Sequence, residues 1–192
     1  MEALTLPCLT LSRSLQVPSD VRRRAFFISC SEYAKILNME KKKIYIASDH
    51  AGFGLKGKII NFLEELGYIV EDMGAYTYDI GDDYPEFISR AAEEVSKDPL
   101  NSLGIVLGGS GEGEAMVADK YPHVRAAIYY GGPMSIVKLS REHNDSNIIS
   151  LGARFLSEDQ AKEAVKLWLE TPFSGDERHV RRIKEIEDLK IK

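Results

Sequence analysis

The sequence predicts an α/β fold, because short apolar runs alternate with amphipathic helical patterns from about residue 43 to residue 190. Strands that alternate with helices form a parallel sheet, and the helices cover both of its faces. The chain has 192 residues, 44% of them hydrophobic, which is enough for one domain with a substantial core. We therefore expect a three-layer, Rossmann-like fold with a five-stranded parallel sheet flanked by helices.

The first half of this pattern contains three strands. Residues 43–47, with two isoleucines, a tyrosine and an alanine after Lys43, form the first predicted strand, and the helical pattern after it stops at Gly67. Residues 68–70 form the second predicted strand, and apolar residues at helical spacing from Phe87 to Val95 mark the second helix. Residues 103–107 are the third strand, followed by a helix-like stretch over 115–120.

The second half continues in the same order. Residues 125–130 and 147–151 are the fourth and fifth strands, with a helix over about 133–141 between them. Two helices close the chain, at 158–170 and 177–190. The first buries Trp168 among small apolar residues, and we expect Ile183 and Ile186 of the second to point inward.

Composition excludes several classes of protein. The formal net charge is −5, so the chain has no basic field for nucleic acid. No apolar run approaches the ~20 residues that a membrane span needs. Cys8 and Cys30 are the two cysteines, which argues against a disulfide scaffold and favours the reducing cytoplasm.

Residues 1–40 differ from the rest, and we expect them to be a poorly ordered extension before a domain at 41–192. Glycine is absent before residue 52, and no strand–helix alternation is visible. The stretch around Arg22 faintly resembles a targeting segment, but Glu2 and Asp20 interrupt the acid-poor pattern of a transit peptide. A translation start at Met39 is an alternative explanation for the extension.

The loops that follow the strands should form one site, because ligands of parallel sheets bind outside the carboxyl ends of the strands. One of these loops, Gly108–Glu114, is rich in glycine and offers bare backbone N–H groups at a helix start. It lacks the Lys-Ser/Thr of a P-loop and the third glycine of a dinucleotide fingerprint. A carboxylate beside such donors suits a proton abstraction that creates an oxyanion.

Other polar groups allow two interpretations each. Asp49-His50 is either a helix cap with a surface imidazole or part of the site. His143 either complements a helix dipole or moves protons near neutral pH. Arg178 and Arg182 share a helix face, as a solvated basic surface or as a phosphate clamp. The acidic segment 79–84 lacks calcium-loop spacing, so we interpret it as a turn that carries Tyr84 toward the site.

Taken together, these motifs resemble the ribose-5-phosphate isomerase B family, which also includes galactose-6-phosphate isomerase subunits. The resemblance runs in order from about residue 43 to residue 189. The matching segments are Ser48–Gly52, Gly109–Glu114, Arg141–Asp145, Leu151–Arg154 and Arg178–Arg182.

The resemblance implies roles for individual residues. Glu114 would move a proton between C2 and C1, since this chain lacks the cysteine base that one branch of the family has at the position of Gly108 or Gly109. The implied catalytic residues are Glu114, His143, Ser110 and Asp49. The implied substrate-binding residues are His50, Tyr84, Gly109, Gly111, Gly113, Asn144, Arg154, Arg178 and Arg182.

The resemblance also implies an aldose–ketose isomerisation through an enediolate, without metal or organic cofactor. It implies a homodimer with shared active sites, with a tetramer as the alternative, and D-ribose 5-phosphate as the substrate. A six-carbon aldose 6-phosphate and a non-catalytic sugar-phosphate binding module are the alternatives. Glu112 departs from the family pattern, either raising the pKa of Glu114 by repulsion or facing solvent.

Overall fold

The computed structural model describes residues 42–189, in which five strands and six helices alternate. The strands are β1 (Lys43–Ser48), β2 (Val70–Asp72), β3 (Ser102–Gly108), β4 (Ala126–Tyr129) and β5 (Ile148–Gly152). The helices are α1 (Phe53–Glu65), α2 (Tyr84–Lys97), α3 (Glu112–Ala118), α4 (Ser135–Asn144), α5 (Glu158–Glu170) and α6 (Glu177–Glu187). The predicted α/β class is confirmed.

The strands form one parallel sheet in the order β2-β1-β3-β5-β4. Ile46 of β1 pairs with Ile105 of β3, and Val106 of β3 pairs with Ser150 of β5. After β1 the chain adds β2 on one side, and it then crosses to β3 on the other side of β1. The carboxyl ends of β1 and β3 are therefore the point where the topology reverses, which is where such sheets bind ligands.

Two apolar clusters cover the two faces of the sheet and make the three layers. On one face, Ile59 of α1, Val137 of α4 and Trp168 of α5 belong to the same buried cluster as Ile46 and Ile105. On the other face, Ile88 and Val95 of α2 lie with Val106, and Ala118 of α3 completes the cluster. The indole N–H of Trp168 donates to Ser146 Oγ at 2.8 Å, so this large side chain is buried without losing its hydrogen bond.

The second strand begins two residues later than the sequence predicts. Gly67 has a φ of 75°, and its N–H donates to the carbonyl of Glu64 while the N–H of Tyr68 donates to that of Leu63. These bonds close the end of α1 in the manner of a helix C-cap. Pairing with β1 starts only at Val70, and Ile69 is 66% exposed.

The inward face of α6 also differs from the prediction. His179 is the buried residue of this helix, whereas Ile183 is half-buried and Ile186 is 59% exposed. The apolar spacing correctly predicts a helix but not which side of it packs on the domain, because a polar side chain with two hydrogen-bond partners can also be buried.

Among residues 42–189, no helix combines the length and apolar character needed to cross a bilayer. The expectations for residues 1–40 lie outside the described residues.

Candidate active site

A cavity of about 330 Å³ opens at the carboxyl ends of β1 and β3. It gathers residues from four of the loops that the sequence analysis singled out. Its lining residues are Asp49, His50, Ala51, Tyr84, Gly109, Ser110, Gly113, Glu114, Arg154 and Phe155. Eight of the thirteen predicted site residues therefore line one cavity, although they are up to 105 positions apart in the chain.

Glu114 lies in the first turn of α3, and only 4% of it is exposed. Burial raises the pKa of the Glu114 carboxyl, and the nearby charge of Asp49 raises it further. Backbone N–H groups of Glu114 and Gly111 act in the opposite direction. The like charge that acts on Glu114 is thus Asp49, where the sequence suggested Glu112, and Glu112 itself is half-buried. A carboxylate with a raised pKa is a stronger base than one in water.

The absence of a side chain at Gly108 makes room for this carboxylate. A Cβ at residue 108 would lie 1.8 Å from Glu114 Oε1, which is far inside any real contact. Gly108 ends β3, and its carbonyl accepts a hydrogen bond from Ala153 N–H at 2.8 Å, so the backbone here cannot move away easily. The glycine loop therefore sets the position of the Glu114 carboxylate as well as offering donors.

The backbone of the loop is fixed by β5 and by Ser110. Gly111 has a φ of 83°, and its carbonyl accepts a 2.6 Å hydrogen bond from Ser150 Oγ. Ser110 Oγ accepts from Glu112 N–H at 3.3 Å. Among the described residues, the N–H groups of Ser110 and Gly113 have no partner, so of the donors expected over 110–113 these two are the ones that stay available to a ligand oxygen.

Asp49 and His50 follow β1 and form the opposite wall. Asp49 Oδ1 accepts from the N–H groups of Ala51 and Gly52 at 2.9 and 3.1 Å, which caps the turn that leads into α1. Asp49 is only 7% exposed, yet it lines the cavity. The interpretation as a helix cap with a surface imidazole is wrong, because Asp49 bonds the turn before α1, the helix N-cap is Gly52 without a side-chain cap, and His50 is half-buried. Asp49 and His50 instead both line the cavity.

His50 has an unforeseen partner in Asp82, whose Oδ1 lies 2.6 Å from His50 Nδ1. Asp49, His50 and Asp82 each bring one ligand atom within 4.8 Å of the others, which is the kind of group that could hold a metal ion. The 2.6 Å separation is that of a hydrogen bond, whereas two ligands of one ion lie farther apart. This distance favours a proton over a metal between Asp82 and His50.

Tyr84 and Arg154 pack on two glycines of the loop. A Cβ at Gly113 would lie 2.9 Å from the Tyr84 hydroxyl oxygen, and one at Gly109 would lie 3.4 Å from Arg154 Nε. The N–H of Arg154 donates to the Gly109 carbonyl at 3.1 Å. The phenol and the guanidinium thus reach the cavity across positions without side chains, and segment 79–84 delivers Tyr84 as predicted.

The other five predicted residues do not line this cavity: Gly111 is the N-cap of α3, and the remaining four lie on two other helices of the described chain. His143 and Asn144 end α4, and Arg178 and Arg182 lie on α6. His179 joins the two helices: its Nδ1–H donates to the His143 carbonyl at 3.0 Å, and its Nε2 accepts from Arg178 Nε at 2.7 Å. The ring centroids of His143 and His179 are 4.2 Å apart. His143, Arg178 and His179 therefore form a second group of polar side chains, the histidine–arginine cluster.

Sequence reasoning missed Phe155, Asp82 and His179. Phe155 lines the cavity and packs on Tyr130 at 6.1 Å between ring centroids. Its signal in the sequence was its place directly after Arg154 in a loop at a strand end. Asp82 belongs to the acidic segment 79–84 and His179 to the segment Arg178–Arg182, so both lie in segments that the sequence analysis named. Their contacts join residues 32 and 36 positions apart, which no local pattern reveals.

Comparison with known proteins decides the family. The family model described as Ribose/Galactose Isomerase matches residues 44–186. The chain belongs to the ribose/galactose isomerase family. The family match covers every strand and helix that contributes to the cavity, as well as the histidine–arginine cluster. The resemblance inferred from the motifs is therefore confirmed.

Individual members of the ribose/galactose isomerase family are similar over most of their length. The chain is 45% identical over 141 residues to ribose-5-phosphate isomerase B of Mycolicibacterium paratuberculosis, covering 73% of this chain and 87% of that protein. It is 42% identical over 145 residues to ribose-5-phosphate isomerase B of Mycobacterium tuberculosis, covering 76% and 88%.

Solved structures agree with this relationship. A crystal structure of ribose-5-phosphate isomerase B from Mycoplasma genitalium with bound ribulose-5-phosphate superposes with a TM-score of 0.73 at 36% identity, covering 76% of this chain and 93% of that one. The corresponding enzyme from Thermotoga maritima gives a TM-score of 0.71 at 37% identity, covering 78% and 100%. The three-layer fold is thus shared with these enzymes.

Proposed function

We propose that this protein interconverts D-ribose 5-phosphate and D-ribulose 5-phosphate through an enediolate, with Glu114 as the base. The observation that carries the proposal is the buried Glu114 carboxylate, whose pKa is raised, in the same cavity as the free N–H groups of Ser110 and Gly113. Relatives with 42–45% identity are ribose-5-phosphate isomerases B, and a structural neighbour binds ribulose-5-phosphate.

The reaction needs one proton carrier and a holder for one oxyanion. Glu114 takes the proton from C2 of the open-chain aldose, and the electron pair of the broken C–H bond makes the enediolate. The O1 oxygen gains the negative charge, which the N–H groups of Ser110 and Gly113 stabilise by roughly 3 kcal/mol for a good donor. Glu114 then returns the proton to C1, and the hydroxyl proton of C2 moves to O1 to leave the ketose.

The remaining residues hold the sugar and open its ring. His143 and Asp49 act on the furanose ring oxygens, while Asn144 and Tyr84 position the open chain. His50, Arg154, Arg178 and Arg182 bind the phosphate. Anchoring the phosphate away from the reacting carbons positions C1 and C2 against Glu114, so binding energy is used for orientation.

We further propose a homodimer whose active sites draw on both chains. Within one described chain, His143, Asn144, Arg178 and Arg182 do not line the cavity that holds Glu114. Exposed apolar side chains lie on the helix that carries His143 and also at the cavity. Ile136 and Leu139 on α4 are 50% and 42% exposed, and Phe155 at the cavity is 64% exposed. In the proposed dimer the partner would cover these side chains and remove their apolar surface from water. A tetramer would be a pair of these dimers.

The proposed chemistry requires no metal and no organic cofactor, because the chain supplies both the base and the oxyanion donors. A cytoplasmic location fits the use of cysteine, since Cys8 and Cys30 are the two cysteines and neither lies in the family-matched segment. Both statements are predictions that the following assay and cell fractionation test.

The deciding experiment is an isomerase assay with D-ribose 5-phosphate, with and without EDTA. We expect turnover that EDTA does not change, together with exchange of C2 deuterium into solvent. If deuterium is lost from C2 but no ribulose 5-phosphate accumulates, the proton abstraction is right and the assigned product is wrong. If there is neither turnover nor deuterium loss, the protein is a non-catalytic sugar-phosphate binding module.

A six-carbon substrate is the second candidate, because the matched family includes galactose isomerases. The values of kcat/KM for ribose 5-phosphate, allose 6-phosphate and galactose 6-phosphate discriminate between the two. We expect the five-carbon substrate to have the highest value. A higher kcat/KM for either six-carbon phosphate would reassign the physiological substrate while retaining the mechanism.

A further inference from the structure

Asp82 lies in the loop before α2, and its carboxylate reaches back to the loop after β1. Its Oδ1 accepts the backbone N–H of His50 at 3.1 Å and lies 2.6 Å from Nδ1 of the same residue. The Asp82 side chain is only 7% exposed. One carboxylate oxygen therefore holds both the backbone and the ring of a residue 32 positions away.

The contact determines which nitrogen of His50 is available to a ligand. An ionised carboxylate only accepts hydrogen bonds, so the hydrogen between the two groups belongs to Nδ1. Nε2 is then the nitrogen left for the cavity that His50 lines. Among residues 42–189, Nε2 has no hydrogen-bond partner.

The burial of Asp82 is costly for a residue that only makes a turn. Its second oxygen, Oδ2, is buried and has no partner in the described chain. A buried, unsatisfied carboxylate oxygen destabilises the fold, and an aspartate that merely caps a turn can keep its carboxylate in water. Asp79, in the same loop, does so: its exposed Oδ1 accepts only Gly81 N–H, at 2.9 Å.

We propose that Asp82 is a positioning residue for His50: it accepts the Nδ1 hydrogen and so aims the Nε2–H of the imidazolium at the phosphate of the substrate, whose oxygens need a hydrogen-bond donor. The identity of that substrate rests on the proposed function, but the contact itself does not. Holding the imidazole before the ligand arrives reduces the ordering cost of binding. Asp82 thus acts on phosphate affinity through His50 and makes no contact with the reacting carbons.

A double-mutant cycle tests this coupling with inorganic phosphate as the probe. Binding is measured by calorimetry on the full-length wild type and on the variants Asp82→Ala, His50→Ala and the double variant. We expect Asp82→Ala to weaken phosphate binding about tenfold, as for the loss of one charge-assisted hydrogen bond. In the His50→Ala background the same change should have almost no effect.

Two further variants separate positioning from folding. Asp82→Asn keeps an oxygen that can accept both hydrogen bonds, so it should retain most of the affinity that Asp82→Ala loses. Asp79→Ala removes a carboxylate from the same loop without touching His50, so its phosphate affinity should equal that of the wild type.

Two results would overturn the proposal. One is wild-type phosphate affinity in Asp82→Ala. The other is an equal loss from Asp82→Ala with and without His50, which would assign Asp82 to the loop structure alone. Isomerase activity of the wild type is measured separately, so failure of the proposed reaction and failure of the Asp82–His50 coupling give different results.

Discussion

Glu114 is a carboxylic acid that the fold buries and that the proposed reaction needs in its ionised form. Burial, and then the charge of Asp49, raise its pKa. The same environment that makes the carboxylate a better base therefore makes it costly to ionise in the folded protein.

Glu114→Gln should abolish most of the turnover while leaving phosphate binding intact. General-base catalysis contributes about 10²–10⁴-fold, so we expect kcat to fall by that factor in an assay with ribose 5-phosphate. Calorimetry with inorganic phosphate is the control for folding and binding. Unchanged kcat would exclude Glu114 as the base.

The same variant should be more stable than the wild type at alkaline pH. Because the folded-state pKa of Glu114 is raised, the folded protein binds this proton more tightly than the unfolded chain, and stability falls as pH rises through that pKa. Glutamine has no charge to desolvate, so its Tm advantage should be present at pH 8 and shrink toward acidic pH. Thermal melts of both proteins across pH measure the difference. An advantage that grows toward acidic pH would contradict the assignment.

On the acidic side of the pH profile, kcat/KM should begin to fall at a pH above the ordinary range of a glutamate pKa. Glu114 must be ionised to take a proton, so activity falls as pH drops through its raised pKa. Asp49→Asn keeps an oxygen for the Ala51 and Gly52 N–H groups but removes the charge, and should shift this limb to lower pH. The shift should be small, because burial is the larger cause. A shift to higher pH would show that Asp49 does not act on Glu114 by repulsion.

At the scale of elements, the turn from β3 to α3 places the base by leaving space for it. The Glu114 carboxylate lies where a side chain at residue 108 would be. Ser150 on β5 holds the loop in place through the hydrogen bond that its hydroxyl donates to the Gly111 carbonyl.

Gly108→Ala should therefore inactivate the enzyme without unfolding it. The new methyl group would displace the Glu114 carboxylate, and we expect kcat to fall by at least about 10²-fold, as when a general base is misplaced. Gly57→Ala is the matched control, because a Cβ at that exposed position of α1 meets nothing within 4 Å. The control should retain full activity and gain up to about 1 kcal/mol of stability. Full activity in Gly108→Ala would show that Glu114 need not occupy this position.

At the scale of the whole molecule, the proposed site is split between a cavity and the histidine–arginine cluster. The cavity belongs to the loops at the carboxyl ends of β1 and β3, whereas His143 and Arg178 are tied together by His179 between α4 and α6. A dimer in which each chain completes the site of the other would unite them.

Mixing two inactive variants tests this arrangement. Glu114→Gln and His143→Ala dimers are each expected to be inactive, but a mixed dimer would contain one site with both residues intact. Random exchange of subunits should restore about a quarter of wild-type activity. Activity is measured after refolding the two variants together, with each refolded alone as the control. No recovery despite mixed dimers would show that each chain builds its own site.

Much of the architecture was predictable because it depends on local patterns. Apolar spacing identified every strand and helix, and the predicted bounds of α5 are those of the structure, where Ser157 and Gln160 form a capping box at its start. By contrast, α3 begins at Glu112 and not at the predicted residue 115. Errors occurred where non-local contacts decided the outcome. The start of β2 depends on where pairing with β1 becomes possible, and the inward face of α6 depends on the hydrogen bonds of His179.

The features of the candidate site also separate into those that depend on local sequence and those that depend on non-local contacts. The sequence by itself determined the α/β class, the glycine loop with Glu114 and the family, because periodicity and motif spacing are properties of neighbouring residues. Only the tertiary structure decided that Glu114 is buried against Gly108, that Asp49 is the charge acting on it, and that Asp82 holds His50. Burial, electrostatic coupling and long-range hydrogen bonds depend on the paths of several elements at once, so no stretch of sequence contains them.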